Sequence, residues 1–190
     1  MDREHPQAPA APTPDQEVEI ARAALAQGDI PAAAAHLARA LARDVGRREW
    51  LILLDEIVKA GELDPDRIAP LGEQPYFALV AVRAYVLARR REVTTAVQLL
   101  LRIYAEHPRV PFLRWGASWL SAPGVAAKVD VDVIVDGLIQ VLERFPGDEL
   151  DEAQREALDE TTPILDQLEE AHAGSERLAR VKAAILSKLP

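Results

Sequence analysis

At 190 residues the chain can bury a full core, and 49% of it is hydrophobic but only 5% aromatic, so alanine, leucine and valine must do the packing. It has no cysteine, which excludes disulfides, thiolate metal sites and cysteine nucleophiles and fits a reducing, cytoplasmic setting. The net charge of −9 is segregated, with −6 over residues 1–74, +6 over 75–128 and −9 over 129–190, so a basic middle faces either an anionic partner or the chain's own acidic ends.

Residues 1–13 are rich in proline, lack the apolar core of a signal peptide, and read as a disordered leader. Residues 14–190 read as one helical domain. Thr13, Pro14 and Gln16 form a helix-start signature, and Val18, Ala21 and Leu25 mark one face of the helix that follows. Gly28 ends that helix. Pro31 opens the next, whose buried stripe is Ala33, Leu37, Ala40 and Leu41.

A third helix spans about 47–60 with Trp50, Leu54, Ile57 and Val58 inward, and Asp64-Pro65 starts a short turn that Pro70 stops. The fourth covers about 75–90, with Phe77, Val80, Ala81, Ala84 and Leu87 inward. Its apolar run, "PYFALVAVRAYVLA", is interrupted by Arg83 and is too short to span a bilayer. The fifth helix has the clearest stripe, Val93, Ala96, Val97, Leu100, Ile103 and Tyr104, before Pro108.

An aromatic sixth helix, 111–120, ends at "SAPG". The alternation in "VDVDVIV" suggests a strand, but Ile134, Leu138, Val141, Leu142 and Phe145 continue at helical spacing, and Asp130 or Asp132 can cap a helix. Acidic helices follow at about 149–160, 163–172 and 175–189. The predicted class is all-α, with about eight to ten helices in antiparallel hairpins over 14–146 and an acidic helical end over 147–190. A closed bundle is the competing architecture.

Short turns between helix pairs invite a search for repeats. Ala33, Leu37 and Ala40, with Gly28 in the preceding turn, give a small–large–small pattern on a second helix. Ala96, Leu100 and Pro108 give another copy, with Ile103 and Arg91 at its remaining places. In this the chain resembles the tetratricopeptide repeat family. The closing proline of the first copy is replaced by Val45, and a third copy uses Leu138, Val141 and Pro146, with Ile134 at its first small place. The copies are unevenly placed, since Ala33 and Ala96 lie 63 residues apart and Pro108 and Pro146 only 38. The resemblance implies a stack of hairpins, an α-solenoid, whose first helices line a concave ligand-facing surface.

Phe112, Trp115 and Trp119 share one face of such a helix. They are either anchors for an extended peptide or core, and core is the commoner fate of large aromatics. Arg89, Arg90, Arg91 and Arg114, with Tyr85 one turn before Arg89, either clamp carboxylates or form a solvated face that favours a helix C-terminus. Glu169 and His172 make a Glu-x-x-His pair that occurs once, where helical metal centres need more ligands, and Asp130-x-Asp132 lacks the rest of a calcium loop. Neither a metal nor a cofactor is expected, and no nucleophile motif or phosphate loop is present.

The expected function is a non-enzymatic adaptor, scaffold or assembly factor binding a protein or peptide segment in a helical groove, with an acidic segment as one option. Tyr85, Arg89, Arg91, Arg114, Trp115 and Trp119 are its partner-binding residues. Self-association stays open. Two alternatives are a nucleic-acid-binding protein using the arginines of 83–114, against which the net charge speaks, and a regulatory helical domain of a larger enzyme system.

Overall fold

A computed structural model describes residues 11–44, 47–61, 77–108, 111–147 and 149–189, with side chains of α4 described from Val80 onward. All its regular structure is helical, and no strand occurs among the described residues. The helices are α1 (Pro14–Ala26), α2 (Ile30–Leu41), α3 (Arg48–Gly61), α4 (Phe77–Arg89), α5 (Val93–Glu106), α6 (Leu113–Leu120), α7 (Val131–Leu142), α8 (Glu152–Asp159), α9 (Thr162–Ala171) and α10 (Glu176–Leu186). A short 3-10 turn, Ala126–Lys128, precedes α7. The expected leader falls mostly, and the turn at Asp64-Pro65 and Pro70 wholly, outside the described residues.

Local chemistry sets the helix starts. Thr13 and Gln16 form a reciprocal capping box on α1, and Asp151 and Gln154 form another on α8. Asp29, Asp130 and Ser175 cap α2, α7 and α10 through side-chain oxygens. The cap at Asp130 explains why "VDVDVIV" is helical: its carboxylate accepts the N–H groups of Asp132 and Val133, which a strand would have sent to a neighbour.

α1 packs on α2 and α4 on α5 as hairpins, and both turns have the same geometry. Gly28 N–H donates to Leu25 O at 3.0 Å and Asp29 N–H to Ala24 O at 2.9 Å. In the second turn Arg91 N–H donates to Ala88 O at 3.0 Å and Glu92 N–H to Leu87 O at 2.9 Å. Each pair of bonds is the Schellman closure of a helix end, which needs a left-handed residue, supplied here by Gly28 at φ +75° and by Arg91 at φ +68°.

The expected stripes lie mainly inside, with Leu25, Val80, Val93 and Leu142 half-buried and the Phe77 side chain outside the described residues. Val18 and Ala21 of α1, Ala33, Leu37, Ala40 and Leu41 of α2, and Ala96, Val97, Leu100, Ile103 and Tyr104 of α5 are all buried. On α3, Leu53 is buried where the sequence placed Val58, which is half-buried. Ala33 and Ala96 have no exposed surface. A leucine at either place is therefore expected to cost roughly 1–3 kcal/mol by overpacking. Thermal melts of Ala33→Leu and Ala96→Leu check this, and wild-type midpoints would remove the two alanines from the helix crossings.

Beyond α5 the partners change. α7 packs on α5 and α10, α6 on α5 and α9, and α9 on α10, whereas α6 and α7 make no comparable contact among the described residues. The approach of α7 to α5 is close because Gly137 stands at the crossing: a Cβ there would lie 3.1 Å from Leu101 Cβ.

A buried carboxylate joins α1 to α2. Glu17, only 5% exposed, meets His36 Nδ1 at 2.6 Å and Arg39 at 3.5 Å. Arg39 Nη1 also lies 3.1 Å from His36 Nδ1; with the ring proton on Nδ1 the histidine donates to Glu17 and the guanidinium balances the carboxylate by charge.

Candidate functional site

The aromatic face of α6 divides along its length. Phe112, 1% exposed, and Trp115, 7% exposed, belong to the core, with their rings 5.1 Å apart. Tyr85 of α4 packs against both tryptophans, its ring 5.4 Å from Trp115 and 6.2 Å from Trp119 in edge-on contacts that suit the ring quadrupoles. Trp119, one turn further, is half-buried and reaches the surface. The Trp115 Nε1 donor has no hydrogen-bond partner among the described residues.

That surface is a groove of about 600 Å³ between α4, the start of α5, the end of α6 and the segment leading to α7. Its apolar wall includes Trp119, Val93, Val125 and Val129, and its cations are Arg89, Arg91 and Lys128. No carboxylate lines it among the described residues. Arg89 is held at the rim by Asp55 of α3, with Nε to Oδ1 at 3.3 Å. The same oxygen accepts the Tyr85 hydroxyl at 2.8 Å. Burial, and then the Asp55 carboxylate, push the Tyr85 phenol well above 10.0, so it remains a hydrogen-bond donor. Arg91 and Lys128 have no acidic partner among the described residues.

The groove therefore unites Tyr85, Arg89, Arg91 and Trp119 of the residues singled out from the sequence. Trp115 supports it from within. Arg114 is elsewhere in its contacts: Nη2 pairs with Glu160 Oε1 at 3.1 Å, and that carboxylate raises the arginine's pKa. Arg90, also named from the sequence, has an interaction of its own and does not line the groove. Sequence reasoning missed Lys128 and Asp55. Lys128 is the sole base between Arg114 and Arg144, and that isolation was a usable signal; nothing local announced that Asp55 reaches a helix thirty residues on.

Moving 63 residues along carries α1 onto α4, α2 onto α5 and α3 onto the stretch containing α6. At equivalent places the first copy has Arg22, Ala26, Gly28 and Glu56 where the second has Tyr85, Arg89, Arg91 and Trp119. The second copy thus carries a phenol in place of the cation Arg22, an indole in place of Glu56, and cations in place of Ala26 and Gly28. Arg91 does this at a backbone cost, because a left-handed non-glycine residue is strained by about 1 kcal/mol and such strain clusters at binding sites.

The remaining polar candidates have structural partners. The His172 ring donates from Nε2 to Ala126 O at 2.8 Å, and Glu169 pairs with Lys182. No group of three potential metal ligands occurs among the described residues, and no described helix is long and apolar enough to cross a membrane. Comparison with protein families, with curated proteins and with solved structures gives no match.

Proposed function

We infer that the protein is a non-enzymatic interaction module, a tetratricopeptide-like stack of helical hairpins whose groove between α4, α5 and α6 holds an acidic protein segment. The observation that carries this reading is the groove itself: three cations, an indole and valines, with no lining carboxylate among the described residues, in a chain of net charge −9. The matching turns at Gly28 and Arg91, and the packing of α5 on α7 and α7 on α10, support the hairpin stack. Guanidinium groups suit carboxylates through directed, charge-assisted hydrogen bonds, and an aromatic beside them suits an apolar neighbour on the same segment.

Titration with the acetylated, amidated peptide Glu-Leu-Glu-Phe-Glu-Leu, followed by tryptophan fluorescence, tests this. Arg91→Glu is expected to weaken binding about ten-fold, the equivalent of one charge-assisted hydrogen bond, with the fold intact by circular dichroism. Unchanged affinity would remove the groove from the function. Binding of a single-stranded oligonucleotide that falls steeply with salt would favour the nucleic-acid alternative instead.

A further inference from the structure

The rim of the groove already holds a carboxylate. Asp55 Oδ1 receives the Tyr85 hydroxyl at 2.8 Å and faces Arg89 Nε at 3.3 Å, and both donors stand on α4 while the acid comes from α3. The ion pair is half-open to water, with Arg89 51% and Asp55 33% exposed. Pairs of that kind contribute only about 0–1 kcal/mol, so exchanging one carboxylate for another is cheap. Arg91 and Lys128 lie along the same groove with no acidic partner among the described residues.

We propose that Asp55 stands in for the partner: the segment taken by the groove carries an acidic side chain that displaces Asp55 from Tyr85 and Arg89, while its neighbouring acids meet Arg91 and Lys128 and an apolar side chain lies on Trp119. This rests on the reading of the groove as a protein-segment site. Cations from α4, the α4–α5 turn and the segment before α7 suit an internal acidic stretch better than one terminal carboxylate, which a single guanidinium fork can satisfy. The half-buried Tyr85 hydroxyl then needs an acceptor from the segment, and Arg89 beside it favours a carboxylate over a neutral one.

The peptide Glu-Leu-Glu-Phe-Glu-Leu, acetylated and amidated, is titrated into the full chain and its variants. Asp55→Asn keeps an acceptor for Tyr85 but removes the competing charge, and is expected to bind the peptide about three- to five-fold more tightly. Glu56→Gln makes the same change of charge on the next residue of α3 and is expected to tighten binding less. Unchanged affinity in Asp55→Asn, or an equal gain in Glu56→Gln, would overturn the stand-in and leave the groove reading in place. Binding only of a peptide with a free C-terminus would also overturn the stand-in, in favour of a terminal carboxylate. No binding of either peptide, by wild type or Asp55→Asn, would overturn the stand-in and the groove reading together.

Discussion

Replacing Trp115 by alanine is expected to lower the free energy of unfolding by about 3–5 kcal/mol, the range for deleting a large buried aromatic. The ring is 7% exposed and is enclosed by Phe112, Tyr85 and Trp119, so truncation leaves a cavity that a short helix such as α6 cannot close by shifting. Trp119→Ala differs in kind. It removes a half-buried ring whose contacts with Tyr85 and Trp115 contribute about 1 kcal/mol, so stability falls modestly while affinity for the acidic peptide falls strongly. Denaturant midpoints beside peptide titrations separate the two. Should Trp115→Ala fail to fold, Trp115→Phe is expected to fold with a smaller loss. Equal losses of stability at 115 and 119 would contradict the division of this face into core and groove.

Gly137→Leu is expected to cost at least about 2–3 kcal/mol by driving α7 off α5. The obstacle is close to the backbone: a Cβ at this place would stand 2.9 Å from Leu101 Cδ1 and 3.1 Å from its Cβ, and the latter cannot rotate away. Gly116 is the control. A Cβ there meets nothing nearer than 3.5 Å, so Gly116→Ala should stabilise α6 by about 0.5–1 kcal/mol through the helix preference of alanine alone. Urea titrations of Gly137→Leu, Gly137→Ala and Gly116→Ala test the contrast, and a stable Gly137→Leu protein would mean that α5 and α7 do not cross there.

Helix class and the inward stripes were legible because each depends on residues within a few turns. Val93, Ala96, Val97, Leu100, Ile103 and Tyr104 all fall on the packed side of α5, with Val93 half-buried at the helix start. Thr13, Asp130 and Ser175 act where short polar side chains act, at helix starts. Choices that depend on distant partners were not legible. Trp115 and Trp119 are one turn apart with the same chemistry, and what covers the first, with Phe112 on one side and Tyr85 on the other, is set by packing from outside α6 as well as within it. Nothing within α7 marks Gly137 as a crossing point; Leu101 of α5 makes it one. Glu17, four residues before Ala21, borders the packed face of α1, and only His36 and Arg39 on α2 make room there for its charge. The groove was half legible: Tyr85, Arg89, Arg91 and Trp119 stood out as types in a cluster, while Asp55 and Lys128 join them only through packing.

The left-handed arginine between α4 and α5 bears on how the protein can be improved. Selection for heat resistance alone would drift toward glycine at 91, as the counterpart turn at 28 already shows, and each such clone would score as a success in a melting screen. The same clones would have discarded a positive charge from the mouth of the cleft. A screen that also rewards capture of the acidic peptide should hold the arginine in place against that drift.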